Sequence, residues 1–119
     1  MNKKILVVED DQILMKALNM ELLSAGFQVF SAENGAVGIE VCKKAKPDLI
    51  LLDLLMPKMN GFEFLEKLKT KVPVIVLTNL SQDEDKARAT KLGAIDYFIK
   101  SATNLSEITK KINKILKIK

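Results

Sequence analysis

Five short apolar runs, each followed by a helix-forming segment, constrain this chain more than any other feature. KKILVV (3–8), FQVFS (27–31), DLILLD (48–53), VPVIVLT (72–78) and AIDYFIK (94–100) read as strands. Four helical segments separate them, and a fifth closes the chain. The first, QILMKALNMELLSAG, has apolar residues at Ile13, Leu14, Ala17, Leu18 and Leu22, with Gly26 as its stop. NGAVGIEVCKKA has Asn34 as cap, and Pro47 ends it. GFEFLEKLKT opens on Asn60 with Glu63 in capping-box register, and SQDEDKARATKLG opens on the pair Ser81 and Glu84 and closes at Gly93. The last helix aligns Leu105, Ile108, Ile112 and Ile115 on one stripe opposite lysines.

Strands that are apolar along nearly their whole length are buried on both faces, which requires a parallel sheet covered by helices on either side. With right-handed crossovers, the five-strand solution is an α/β doubly wound parallel sheet in the order 2-1-3-4-5. One domain over residues 1–119 accommodates all of it, without linker, repeat or low-complexity tract.

In such a sheet, function gathers where strand order reverses, at the carboxyl ends of the strands. There the sequence places Glu9, Asp10 and Asp11 after the first strand, Asp53 at the end of the third, Thr78 at the end of the fourth and Lys100 at the end of the fifth. A charged residue inside LLDLLMPKMNG is costly unless it belongs to a site. Two carboxylates about 4 Å apart repel by roughly 4 kcal/mol at an effective dielectric of 20, so a cation must relieve them. Hard oxygen ligands suit Mg²⁺. The chain has no histidine, which excludes a Ser-His-Asp or Cys-His mechanism and the usual zinc sites. An aspartate surrounded by metal ligands, a lysine and a hydroxyl is what phosphoryl transfer onto a carboxylate requires.

These residues resemble the receiver domain of bacterial two-component response regulators, over the whole chain. ILVVEDD is similar to the family's first strand and acidic pair, and LILLDLLMPKMNGFEFL to its phosphoacceptor strand and loop. VIVLT carries the switch hydroxyl, and DYFIK the aromatic switch three residues before the lysine. The resemblance implies a flavodoxin-like (βα)5 fold, with Asp53 as phosphoacceptor. Glu9, Asp10, Asp53 and the Leu55 backbone carbonyl would hold Mg²⁺. Lys100 and Thr78 would bind phosphoryl oxygens, and Tyr97 would turn inward behind Thr78. It implies autocatalysis of phosphorylation and of slow dephosphorylation rather than a conventional enzyme. The partners implied are a sensor histidine kinase or histidine phosphotransfer protein, a downstream protein target or effector domain, and a phosphorylation-linked homodimer. The signal would be read on the face of the fourth helix, fifth strand and fifth helix.

Three departures from the family pattern stand out. Ser101 follows the lysine where proline is usual, which implies either a trans bond with a reshaped turn or a strained cis bond. Asn79 follows the switch threonine where a small residue is common, and would either narrow access or donate to phosphate. The segment KTKVPV is short. The resemblance also implies that the positions two residues after Asp53 and Thr78 tune attack of water on the acyl phosphate; here they are Leu55 and Leu80, which can neither orient nor activate water, so phosphate loss should be slow.

Bland roles suit the remaining candidates: Asp11 as a helix N-cap, Cys42 as a packed small side chain, Met56 and Met59 as loop packing. An aspartate-nucleophile phosphatase would want an acid where Leu55 stands, and a dinucleotide site a glycine-rich loop where EDDQ stands. A receiver-like interaction module independent of phosphorylation is the alternative that keeps the fold. The basic tail ITKKINKILKIK reads as a solvated helix face, so no direct nucleic-acid binding is expected. One cysteine and no apolar run near ~20 residues indicate no membrane span and a cytoplasmic setting.

Overall fold

A computed structural model describes residues 2–118; Lys119, counted above in the basic tail, lies outside the described residues. The elements alternate as expected: β1 (Lys4–Val8), α1 (Gln12–Ser24), β2 (Gln28–Ala32), α2 (Gly35–Ala45), β3 (Leu49–Leu52), α3 (Gly61–Lys67), β4 (Val74–Thr78), α4 (Asp83–Lys91), β5 (Asp96–Ile99), and α5 (Leu105–Ile115) after a 3₁₀ turn at Lys100–Ala102. All strand pairs are parallel, in the order β2-β1-β3-β4-β5. The three central strands are buried almost throughout.

Because successive strand residues face opposite sides, the sheet feeds two separate cores. Leu6, Val8, Ile50, Leu52, Val74 and Val76 pack on Phe64, Leu65, Cys42 and Ala89, the side of α2, α3 and α4. Ile5, Val7, Leu49, Leu51, Ile75 and Leu77 pack on Met15, Leu18, Leu22, Ile108 and Ile112, the side of α1 and α5. The expected stripe on α5 is therefore its buried face. Cys42 is buried as expected. Among the described residues no helix is long and apolar enough to cross a membrane.

Local signals held with two exceptions. Asp11 caps α1, accepting from the Ile13 and Leu14 amides; Asn34 caps α2, and Asn60 with Glu63 forms the expected capping box on α3. Gly26 and Gly93 adopt φ of 94° and 114°, in the left-handed region that favours glycine. The Ser81–Glu84 box, however, does not form: α4 begins at Asp83, one residue later than a Ser81 cap would place it, with Gln82 at its N-cap and no side-chain cap bond. Its first turn instead carries Asp83, Glu84 and Asp85, whose charges suit the helix N-terminal dipole. The second exception is on α1, where Met15, not Ile13, joins Leu18 and Leu22 on the buried face; Ile13 is 85% exposed. Start and end of the helix are as expected, but the rotation is set by Leu18 and Leu22 docking on the sheet, which turns Ile13 outward.

Candidate functional site

β1, β3, β4 and β5 each end at or next to a candidate side chain, so the carboxyl rim of the sheet assembles the site. β3 ends at Leu52, one residue before Asp53, yet the Asp53 amide still donates to the Val8 carbonyl at 3.0 Å and continues the ladder. The Glu9 amide does the same to Ala32, at 3.0 Å. These two bonds aim both carboxylates at the same rim from neighbouring strands. Glu9 and Asp53 are 2% and 4% exposed, while Asp10 is exposed.

Each carboxylate oxygen of the buried pair has a donor. Lys100 Nζ lies 2.9 Å from Glu9 Oε1 and 2.9 Å from Asp53 Oδ2. The second oxygens are met by backbone amides: Asp11 N reaches Glu9 Oε2 at 3.0 Å, and Leu55 N reaches Asp53 Oδ1 at 3.1 Å. Burial pushes the Glu9 carboxyl above its ordinary value; the bonds from Lys100 and the Asp11 amide pull against this, and the nearby Asp53 charge adds to it. For Lys100, burial works against the ammonium, but the hydrogen bonds to Asp53 and Glu9 outweigh it and the net direction is upward.

One oxygen from each of Glu9, Asp10 and Asp53 lies within 4.8 Å of the others. The donor set is all carboxylate, with no sulfur or imidazole, and a hard divalent cation such as Mg²⁺ fits it. The loop behind Asp53 is held by close backbone packing at Gly61: a Cβ there would come 2.5 Å from the Asp53 carbonyl oxygen and 2.6 Å from Leu54 Cα. Sequence reasoning placed Gly61 at the start of the third helix but missed this role; a glycine directly after the Asn60 cap was the available signal.

Thr78 is fully buried as the last residue of β4, and the Leu80 amide lies 3.5 Å from its Oγ1. Tyr97, on β5, is half-buried and its hydroxyl donates to the Leu80 carbonyl at 2.8 Å, tying β5 to the loop after Thr78. Burial, then the charges of Asp85 and Asp53, push this phenol up to about 12. Leu80 is half-buried and Leu55 is 54% exposed, both apolar at the rim.

The backbone decides one of the two open readings, that of the Lys100–Ser101 bond. Among the described residues every peptide bond is trans, so Ser101 follows Lys100 in a reshaped 3₁₀ turn. Asn79 is exposed and its Oδ1 accepts from the Ser101 amide at 3.2 Å.

A doubly wound sheet with an acidic trio, a lysine and a hydroxyl at its switch point defines the receiver class of signalling domains. The chain belongs to the response regulator receiver domain family, whose model matches residues 5–113. It is 36% identical over 118 residues to protein PilH of Pseudomonas aeruginosa, covering 95% of this chain and 97% of that protein. It is also 38% identical to the alkaline phosphatase synthesis transcriptional regulatory protein PhoP of Bacillus subtilis, over 84% of this chain; the aligned part is 43% of that longer relative. Among solved structures, a two-component response regulator from Clostridium difficile superposes with a TM-score of 0.93 at 27% identity, covering 98% of both chains. A CheY-like receiver domain protein from Methanospirillum hungatei gives 0.92 at 28% identity, covering 98% of this chain and 95% of that one.

Proposed function

We propose that this domain is a Mg²⁺-dependent phosphorylation switch in which Asp53 accepts a phosphoryl group from a sensor histidine kinase or a histidine phosphotransfer protein. The observation that carries this reading is the Lys100 ammonium bonded equally to Glu9 and Asp53 beside the exposed Asp10. Glu9, Asp10, Asp53 and the Leu55 carbonyl would hold the metal. Bound there, Mg²⁺ supplies positive charge to the oxygens of the transferring phosphoryl group.

This chain's residues then divide the work. An Asp53 carboxylate oxygen attacks phosphorus as the bond from phosphorus to the donor's histidine nitrogen breaks, leaving an aspartyl phosphate and a free imidazole. Lys100 stays with the charge as it spreads onto the phosphoryl oxygens, and the Leu55 amide holds the aspartate in register. Thr78 donates its hydroxyl to another phosphoryl oxygen. Tyr97 follows, because its hydroxyl is already tied to Leu80 two residues beyond Thr78. The new charge-assisted bonds bias an existing equilibrium, which a downstream protein target or effector domain reads on the α4-β5-α5 face. A homodimer through that face belongs to the same reading.

Intact mass after incubation with Mg²⁺ and acetyl phosphate tests it. One phosphoryl group is gained, the gain requires Mg²⁺, and Asp53→Asn abolishes it. No gain in a folded chain, with acetyl phosphate or with phosphorylated kinase, would leave instead an interaction module independent of phosphorylation.

A further inference from the structure

The ladder between β4 and β5 ends at the pair Thr78 and Ile99, and the chain then turns sharply through Lys100–Ala102. This turn has little of its own to hold it. No side chain caps it at Ile99, and none of its three residues is buried. The first amides of any helical turn lack internal acceptors. Here the Ser101 amide finds one in the Asn79 side chain, at 3.2 Å, one residue past the end of β4. The carboxamide thus prolongs the β4–β5 pairing beyond the last backbone pair and fastens the turn that presents the Lys100 ammonium to Glu9 and Asp53.

We propose that Asn79 is a positioning residue for Lys100: by accepting from the Ser101 amide it fixes the turn from which Lys100 reaches the acidic site. This rests on the phosphorylation reading given above. It differs in sign from a role in narrowing access, because an obstructing side chain slows entry and its removal speeds the reaction. A positioning side chain has the opposite effect. The bond also joins the residue after Thr78 to the residue after Lys100, so the hydroxyl and the ammonium approach a phosphoryl group as one unit.

Asn79 is exposed, and its truncation leaves both cores untouched. The test compares Asn79→Ala with Asn79→Asp, which keeps an acceptor oxygen at the same reach. Phosphorylation is followed over a range of acetyl phosphate concentrations at saturating Mg²⁺, and Ser101 amide exchange is followed by NMR. Losing one exposed hydrogen bond is expected to lower the maximal rate in Asn79→Ala about 3- to 10-fold and to speed Ser101 exchange by a similar factor. The half-saturating donor concentration and the Mg²⁺ affinity stay as in the unaltered chain, and Asn79→Asp recovers most of both losses. A faster Asn79→Ala, equal losses in both variants, or unchanged Ser101 exchange would each overturn the proposal. If the unaltered chain gained no phosphoryl group, the proposed function would fall, while the exchange measurement would still decide whether Asn79 fastens the turn.

Discussion

The ammonium of Lys100 lies 2.9 Å from Oδ2 of Asp53, a bond that spans 47 residues of sequence and joins the ends of β3 and β5 inside the acidic site. The same ammonium lies 2.9 Å from Glu9. One cation therefore compensates two carboxylates that are almost fully buried.

Replacing Lys100 with Met leaves Glu9 and Asp53 facing each other unpaired. We expect a loss of about 1.5–3 kcal/mol, the range for a hydrogen bond to a charged group, in urea unfolding without Mg²⁺ at neutral pH. The loss should shrink when Mg²⁺ is added, since the cation binds the folded state. It should also shrink as pH falls toward the carboxylate range. Glu9 already titrates above its ordinary value, so the folded state takes up its proton before the unfolded chain does. Equal losses with and without Mg²⁺ would contradict this account of the site.

Tyr97 is the only tyrosine, and there is no tryptophan, so phenolate absorbance reports it without interference. Its folded value of about 12 lies above the ordinary 10.0. The folded state therefore holds the proton longer than the unfolded chain. The stability this contributes is fully present below pH 10 and is lost as pH rises between 10 and 12. Phenolate should appear near 10 in denaturant and well above it in the folded chain. In Tyr97→Phe the alkaline loss of stability should be smaller, the part that remains coming from Lys100, whose ammonium is also held above its ordinary value.

Gly61→Ala drives a methyl group against two backbone positions, the Asp53 carbonyl and Leu54 Cα, neither of which is the flexible end of a side chain. We expect destabilisation of about 1–3 kcal/mol, typical of overpacking, from the midpoint of urea unfolding. Phosphorylation by acetyl phosphate should slow as well, because the same shift moves Asp53. An alanine variant with unaltered midpoint and rate would show that the loop has room to give.

On the proposed function, Leu80→Asn tests whether the apolar side chains two residues after Asp53 and Thr78 slow the attack of water on the aspartyl phosphate. Loss of the phosphoryl group, followed by intact mass after donor removal, should become several-fold faster. An unchanged half-life would mean that the leucines do not govern access of water.

The five strands and five helices and the rim that carries Glu9, Asp10, Asp53, Thr78 and Lys100 were legible in the sequence because they rest on local patterns, and the strand order because crossover handedness leaves few alternatives. Near-continuous apolar strands announce burial on both faces, and residues such as Asp11, Asn34 and Asn60 cap helices through bonds spanning two or three positions. Ser81 shows the limit of that reasoning. A capping signature was present, but α4 starts at Asp83, after a side-chain cap has been bypassed.

What the sequence by itself determined is therefore the fold and which side chains share the carboxyl rim: periodicity and capping act over a few residues, and strand ends follow from them. What only the tertiary structure decided is who touches whom across that rim. Lys100 divides itself between Glu9 and Asp53, Tyr97 bonds the Leu80 carbonyl across 17 residues, and Asn79 takes the Ser101 amide across 22. The rotation that buries Met15 and exposes Ile13 belongs here too. Such contacts depend on sub-ångström placement and on the loops beyond the last ladder bond. There no hydrophobic period or backbone pairing constrains the chain, and side chains compete for the few unpaired amides and oxygens.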